Sequence, residues 1–367
     1  MVYALDQLPR GRVLSRRAKA VRTECVDVPF DGWRQRCYRL IQDTPVLRRR
    51  SDLLTLLQDV NFDLQLARQA QDAILFDGVM AQCCLTFREL SKKKIPLVLT
   101  ALNWHIDSLG DALVEEHKRL GISAPTFIHP RMRVRMREEV ERATCVRTIS
   151  DASRQSFIER GVPAARVETV LPAVDLDHFR PTAQQDDVFR VLSVSTIDAR
   201  KGTYYLLQAF EKAAIPNSEL VIIGATGSRW ASQMLRGFTS RLSNIRIQSA
   251  DVIQDPVEST YGPATIFAHP AIEDGFALAV SQALACGKPV ITTRQTGASQ
   301  LIVDGQHGYV LECRDVDGLV DRMRLMARDR ALLGRMTAAA PSAVADLGYP
   351  ALATRIGNLY RRLLGRS

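Results

Sequence analysis

The chain has 367 residues, 46% of them hydrophobic and 24% charged, and a net charge of +9. That length suits two domains rather than one, and the composition is that of a soluble globular protein rather than a disordered or fibrous one. No window approaches the ~18 to 20 uninterrupted apolar residues of a membrane span, and the first residues lack the apolar core of a signal peptide.

Residues 1–30, MVYALDQLPRGRVLSRRAKAVRTECVDVPF, read as two short strands joined by a polar loop. From 33 to 70 the pattern is helical, polar and Arg-rich, with Leu53, Leu54, Leu56, Leu57 and Val60 as its apolar face. AQDAILFDG is a strand, VMAQCCLTFRELSKK a helix after Gly78, and IPLVLTALNWH the clearest strand of this half, closed by Asn103, Trp104 and His105. Pro130 suits the first turn of a helix. CVRTIS is a strand, Ser150 or Asp151 can cap the helix that follows, and Gly161-Val162-Pro163 ends it. The polar, turn-prone PTAQQDD then marks a domain boundary between residues 172 and 187.

The first 180 residues hold 29 Lys and Arg against 23 Asp and Glu. Basic clusters fall at Arg48-Arg49-Arg50, Lys92-Lys93-Lys94 and Arg131, Arg133, Arg135 and Arg137. Such clusters are most often solvated surface, but they also suit an anionic membrane face. Nucleic acid is disfavoured as a partner, because neither zinc-finger spacing nor an RNA-binding aromatic motif accompanies the charge. The seven cysteines are odd in number and contain no CxxC pair. They read as reduced thiols of a cytoplasmic protein, several buried as small apolar residues, and not as a metal site.

The second half opens with FRVLSVSTIDARKGTYYLLQAF, a strand followed by Arg200-Lys201-Gly202 and an amphipathic helix. SELVIIGATGS is a strand and glycine turn, with Gly224 and Gly227 serving either a close backbone approach or the turn alone. NIRIQSADV is a short strand. Residues 264–305 organise the whole chain. ATIFAHPA is a buried parallel strand, EDGF a turn, ALAVSQALA a helix stopped by CGKP, and PVITT the next strand before TGASQLI opens another loop-to-helix turn. Two successive strand–loop–helix units bring helix N-termini to one edge of a parallel sheet, where open α/β sheets bind phosphate.

These residues resemble the donor-binding core of the retaining nucleotide-sugar glycosyltransferases of family 4, which have the GT-B fold. That family shows Glu-Gly-Phe-Gly, a second Glu after seven intervening residues, then Ala-Cys-Gly-x-Pro-Val. Here Asp274 holds the first acidic position, with Glu273 one residue early, and Gln282 holds the second. The resemblance implies an α/β fold of two facing Rossmann-like domains. Residues 1–178 form the N-terminal acceptor-side domain, with the helix at 350–367 packing back on it, and 188–349 bind the donor. Leu171-Pro172-Ala173-Val174-Asp175 resembles the interdomain linker. No glycine-rich loop precedes the first predicted strand, so the N-terminal domain is expected without its first strand and Gly-rich loop.

The resemblance also implies roles. Lys201 matches a lysine that reaches the donor diphosphate; Thr196 stands where the family has an arginine, which Arg200 could replace. His105 ends the strand that faces the transferred sugar. Asp274 or Glu273 would hold a sugar hydroxyl and Gln282 the ribose. Gly275, Phe276 and the loop Thr296, Gly297, Ala298, Ser299 would border the donor, with backbone amides on phosphate. No metal and no separate cofactor is implied. The partners are a nucleotide sugar and a sugar or lipid-linked acceptor, at the inner face of a membrane. A catalytically inactive binding subunit is the alternative, suggested by Thr196 and Gln282. A glycoside hydrolase is disfavoured, because neighbours Glu273 and Asp274 cannot straddle a sugar as the paired carboxyls of a hydrolase must.

Overall fold

The computed structural model describes residues 51–123, 128–182, 186–226, 228–248, 253 and 255–365. The two strands expected in 1–30, the first part of the 33–70 helix, and Gly227 lie outside them. The strands form two sheets. Strands β1 (Phe76–Val79), β2 (Leu97–Ala101), β3 (Cys145–Thr148) and β4 (Val167–Thr169) make one, in that order, with β1 and β2 parallel. The other has the order β10-β9-β8-β5-β6-β7, from β5 (Phe189–Val194), β6 (Ser218–Ile223), β7 (Ile245–Gln248), β8 (Ile266–His269), β9 (Val290–Thr293) and β10 (Gly308–Leu311). Every pairing in it is parallel. An α-helix follows most strands, although β5 follows β4 directly and only a 3₁₀ turn separates β9 from β10; such crossovers are what parallel pairing requires.

The chain divides into two compact units. One takes the described residues of Met1–Ala101, Phe127–Arg147 and Arg355–Ser367; the other takes those of Leu102–Thr126 and Thr148–Thr354.

In the first unit, acidic side chains organise the core. The helix Ser51–Gln69 buries Leu56 and Leu66, but Leu57, expected on its apolar face, is 57% exposed. Asp63 turns inward instead. Its carboxylate accepts from the backbone N–H of Leu85 and Thr86 and pairs with Arg135 at 2.6 Å. It therefore caps the helix Cys84–Ser91, whose first amides lack helical partners. That helix starts later than expected, because β1 continues through Gly78 to Val79. A Cβ on Gly78 would come within 2.7 Å of Cys83. Glu139, fully buried, accepts from the amides of Ala81 and Cys83. The last helix, Tyr349–Leu363, reaches this unit through Tyr360, whose hydroxyl donates to Asp77 at 2.6 Å; Arg147 also pairs with Asp77 at 3.0 Å.

In the second unit the six-stranded sheet is buried on both faces, so its strands read as continuous apolar runs. Period-two alternation sends Val191, Ile222 and Ile266 into one core with Leu206 and Leu207. Leu192, Val221 and Phe267 enter the other with Val280 and Leu284. Each fully buried Leu, Ile or Phe contributes roughly 1.5–3 kcal/mol relative to exposure. The sheet runs outward from β5 through β6 to β7 on one side and from β8 through β9 to β10 on the other. The strand order therefore reverses between β5 and β8, and the loops after those strands diverge at a topological switch point.

Candidate active site

The loop after β5 carries Arg200 and Lys201; the loop after β8 carries Glu273 and Asp274. Gly202, at φ +69°, turns the first loop into the helix Thr203–Ala213, and a Cβ there would lie 1.8 Å from the carbonyl oxygen of Pro270. The two loops thus close on each other only because this residue has no side chain. Ile272 N–H donates to the Arg200 carbonyl at 2.8 Å. Gly275 is needed for a second approach: a Cβ would stand 2.0 Å from the carbonyl oxygen of Leu102.

This interlock sets two adjacent cations against two adjacent carboxylates. Arg200 Nη1 meets Glu273 Oε2 at 3.0 Å, and Lys201 Nζ meets Asp274 Oδ2 at 2.5 Å. Glu273 is fully buried; its other oxygen accepts from Trp104 N–H at 3.2 Å. Asp274 accepts from His269 Nε2 at 2.9 Å and from Ala277 N–H at 3.0 Å. Burial raises the Glu273 carboxyl above its ordinary range against the pull of Arg200. Burial also opposes ionisation of Asp274, yet Lys201, His269 and Arg200 together hold its carboxyl far below that range. Burial lowers His269, overcoming the Asp274 hydrogen bond. A neutral His269 facing an ionised Asp274 carries its proton on Nε2 and leaves Nδ1 a lone pair.

Several buried polar atoms at the end of β8 and in the loops after β2, β5 and β9 have no protein partner. They are Trp104 Nε1, Ser195 Oγ, Arg200 Nε, His269 Nδ1 and Gln295 Oε1. Buried polar groups are rarely left unpaired, and three of these, on Ser195, Arg200 and His269, lie where the strand order reverses between β5 and β8.

Other expected site residues have different neighbours. His105 is buried, its Nδ1 accepting from Asp107 N–H at 3.2 Å and its ring edge against Phe157. It caps the helix Ile106–Arg119, while Trp104 beside it is the residue that reaches Glu273. Gln282 accepts from the buried Tyr261 hydroxyl at 2.8 Å. Phe276 packs in the core with Leu192 and Val280. The amides of Thr296, Gly297, Ala298 and Ser299 donate to the carbonyls of Thr293, Asp274, Phe276 and Thr296, so each already has an acceptor. TGASQLI makes a 3₁₀ turn, Gly297–Leu301, rather than a full helix. Gly224 serves a close approach: a Cβ would lie 1.9 Å from the Ser195 carbonyl oxygen. His269 escaped the sequence reading. Its signal was a polar residue ending an otherwise apolar strand, immediately before Pro270. Among the described residues no group of His, Cys, Asp and Glu could hold a metal ion, and no helix is long and apolar enough to cross a membrane.

Two parallel-sheet, Rossmann-like α/β folds, one ending its strands in this cluster, define the class: this is the GT-B architecture. It superimposes on the HepE protein of Anabaena, solved in complex with UDP-glucose, with a TM-score of 0.64 over 81% of this chain and 80% of that one, at 16% identity. Residues 175–343 match the family model "Glycosyl transferases group 1", which covers a little under half of the chain. It is 24% identical over 226 residues to D-inositol 3-phosphate glycosyltransferase of Xylanimonas cellulosilytica, covering 56% of this chain and 54% of the relative. It is 25% identical over 257 residues to O-antigen chain mannosyltransferase B of Escherichia coli, covering 64% and 66%. The chain thus spans between half and two thirds of the length of these relatives.

Proposed function

We propose that this protein transfers a glycosyl group from a nucleotide-diphosphate sugar to an acceptor hydroxyl, with retention and without a metal, in the synthesis of a cell-surface polysaccharide or glycolipid. The observation that carries this reading is the pair of cations Arg200 and Lys201 facing Glu273 and Asp274 where the sheet order reverses. In the reaction the bond from the anomeric carbon to the diphosphate oxygen breaks, a glycosidic bond forms on the same face, and the acceptor's proton passes to a donor phosphate oxygen. Charge builds on the leaving diphosphate, so preorganised cations there lower the barrier most. Lys201 and Arg200 supply that charge.

In this reading Asp274 and Glu273 orient the cations in the resting site and take sugar hydroxyls when the donor arrives. Gln282 holds the ribose, and Gly275, Phe276 and the 296–299 loop form the wall beside it. His105 positions the Trp104 segment. Residues 1–178 with 350–367 receive the acceptor, residues 188–349 hold the donor, and the enzyme works in the cytoplasm against lipid-linked acceptors. The relatives support this: one is named as a mannosyltransferase of an O-antigen chain, and the HepE structure contains UDP-glucose.

A specific observation also favours an inactive binding subunit: Arg200 is engaged by Glu273, Gln282 by Tyr261, and Thr196 leaves one cation fewer. One experiment separates the two. Nucleotide sugars are screened by thermal shift, then nucleotide release is followed with acceptors offered in anionic or neutral vesicles, with and without EDTA. Turnover that survives EDTA supports the enzyme; donor binding without turnover on any acceptor supports the subunit. Lys201→Ala should weaken donor binding at least about tenfold, the scale of one charge-assisted hydrogen bond. Unchanged affinity would remove Lys201 from the scheme.

A further inference from the structure

The helices Thr203–Ala213 and Arg229–Thr239 line a groove of about 620 Å³, completed by Arg119 and Leu120. Its walls are aromatic. Tyr204 lies with its ring centroid 6.4 Å from that of Trp230 and 6.2 Å from that of Phe238. Trp230, Met234 and Phe238 recur at four-residue spacing and so share one face of their helix. Gly237 also lines the groove, in a helix interior where glycine is a poor choice. A Cβ there would meet only Arg241 Nη1, at 3.9 Å, so packing does not demand the glycine. Its absent side chain leaves the groove floor open.

The groove's polar groups are mostly donors. The indole N–H of Trp230 and the side-chain amide of Gln233 have no partner among the described residues. Arg119 reaches Glu115 only at 3.9 Å, beyond hydrogen-bond distance. Arg241 is held by Glu211 at 3.0 and 3.1 Å and lies 4.8 Å over the Phe238 ring. No carboxylate lines the groove, while two guanidiniums do. Aromatic faces with peripheral donors suit a sugar ring, whose C–H face stacks while its hydroxyls accept. Glu211 already neutralises Arg241, so Arg119 is the cation that favours a sugar bearing an anion. An apolar peptide would leave the donors unpaired.

We propose that this groove is a saccharide-binding site, separate from the loops after β5 and β8, that takes a chain of acidic sugars. A pyranose ring lies against Trp230 and Tyr204, its hydroxyls accept from the Trp230 indole and Gln233, and its carboxylate pairs with Arg119. The site needs no transfer reaction, so its test stands whether or not the proposed activity holds.

The test is a calorimetric titration with a hexameric oligogalacturonate, against a neutral maltohexaose, using the thermal unfolding midpoint as the control for folding. The wild type is expected to bind the uronate saturably and the neutral hexamer at least about tenfold more weakly. Arg119→Ala should weaken uronate binding at least about tenfold, the scale of one charge-assisted pair. Gly237→Leu, which fills the floor, should abolish it, with both variants unfolding within a few degrees of wild type. No uronate binding by the wild type, equal binding of the two hexamers, or full binding by a folded Gly237→Leu protein would each overturn the proposal.

Discussion

At the scale of single residues, Asp274 joins three parts of the candidate site. One oxygen faces Lys201 and His269, the other receives the Ala277 amide, and its carbonyl accepts from Gly297. The turn it anchors contains an anomaly. Ala277 sits at φ +65°, ψ +76°, at the start of the helix Leu278–Ala285, where the related motif has glycine. A left-handed conformation costs a residue with a Cβ about 1 kcal/mol that glycine avoids. Ala277→Gly should therefore raise stability by about 0.5–1 kcal/mol, read from the urea midpoint. A fall in the midpoint would mean that the buried methyl contributes more than the strain costs.

At the scale of elements, the helix Ile106–Arg119 depends on one carboxylate. Glu116 is fully buried and accepts from the Tyr205 hydroxyl and from Arg314 Nε, both at 2.7 Å. It ties the end of that helix to the start of Thr203–Ala213 and to the turn after β10. Removing it would leave a buried phenol without its acceptor and the half-buried Arg314 guanidinium to Glu115, at 3.2 Å. Glu116→Ala should destabilise the protein by about 3–5 kcal/mol, the usual cost of breaking a buried charged network from one side. Tyr205→Phe, which removes only the neutral partner, should cost about 1–2 kcal/mol. Chemical denaturation of the two variants measures the difference, and equal losses would assign the stability to the tyrosine's packing.

At the scale of the molecule, buried acids in both units make folding depend on pH in opposing ways. Burial raises Glu139 from 4.5 to about 7 and Asp59 from 3.8 to about 6. Between the unfolded and folded values the native state holds a proton that the unfolded chain has lost, so their contribution to stability falls as pH rises through that window. Asp274 acts in the other direction, its contribution being lost as pH falls below the ordinary carboxylate range. Glu139→Gln removes one titration and keeps an acceptor for Ala81 or Cys83. Relative to wild type, the variant should gain about 1–3 kcal/mol between pH 4.5 and 7.5, measured as the change in urea midpoint difference. A difference independent of pH would place Glu139 outside the linkage.

What the sequence by itself determined here is what local physics controls. The apolar runs of β5, β8 and β9, the Ser150 cap, Pro130 in a first turn and the cations at 200 and 201 all follow from periodicity, capping and composition within a few residues. Only the tertiary structure decided which polar groups remain available. Gln282 is engaged by Tyr261, 21 positions away, the 297 and 298 amides by carbonyls of the Asp274–Phe276 turn, and Arg135 by Asp63 rather than by solvent. His269 gains its place by facing Asp274, and Trp104 by facing Glu273, 169 positions away. A hydrogen bond between distant residues leaves no periodic trace in the chain, because its partners are chosen by how the loops close on one another.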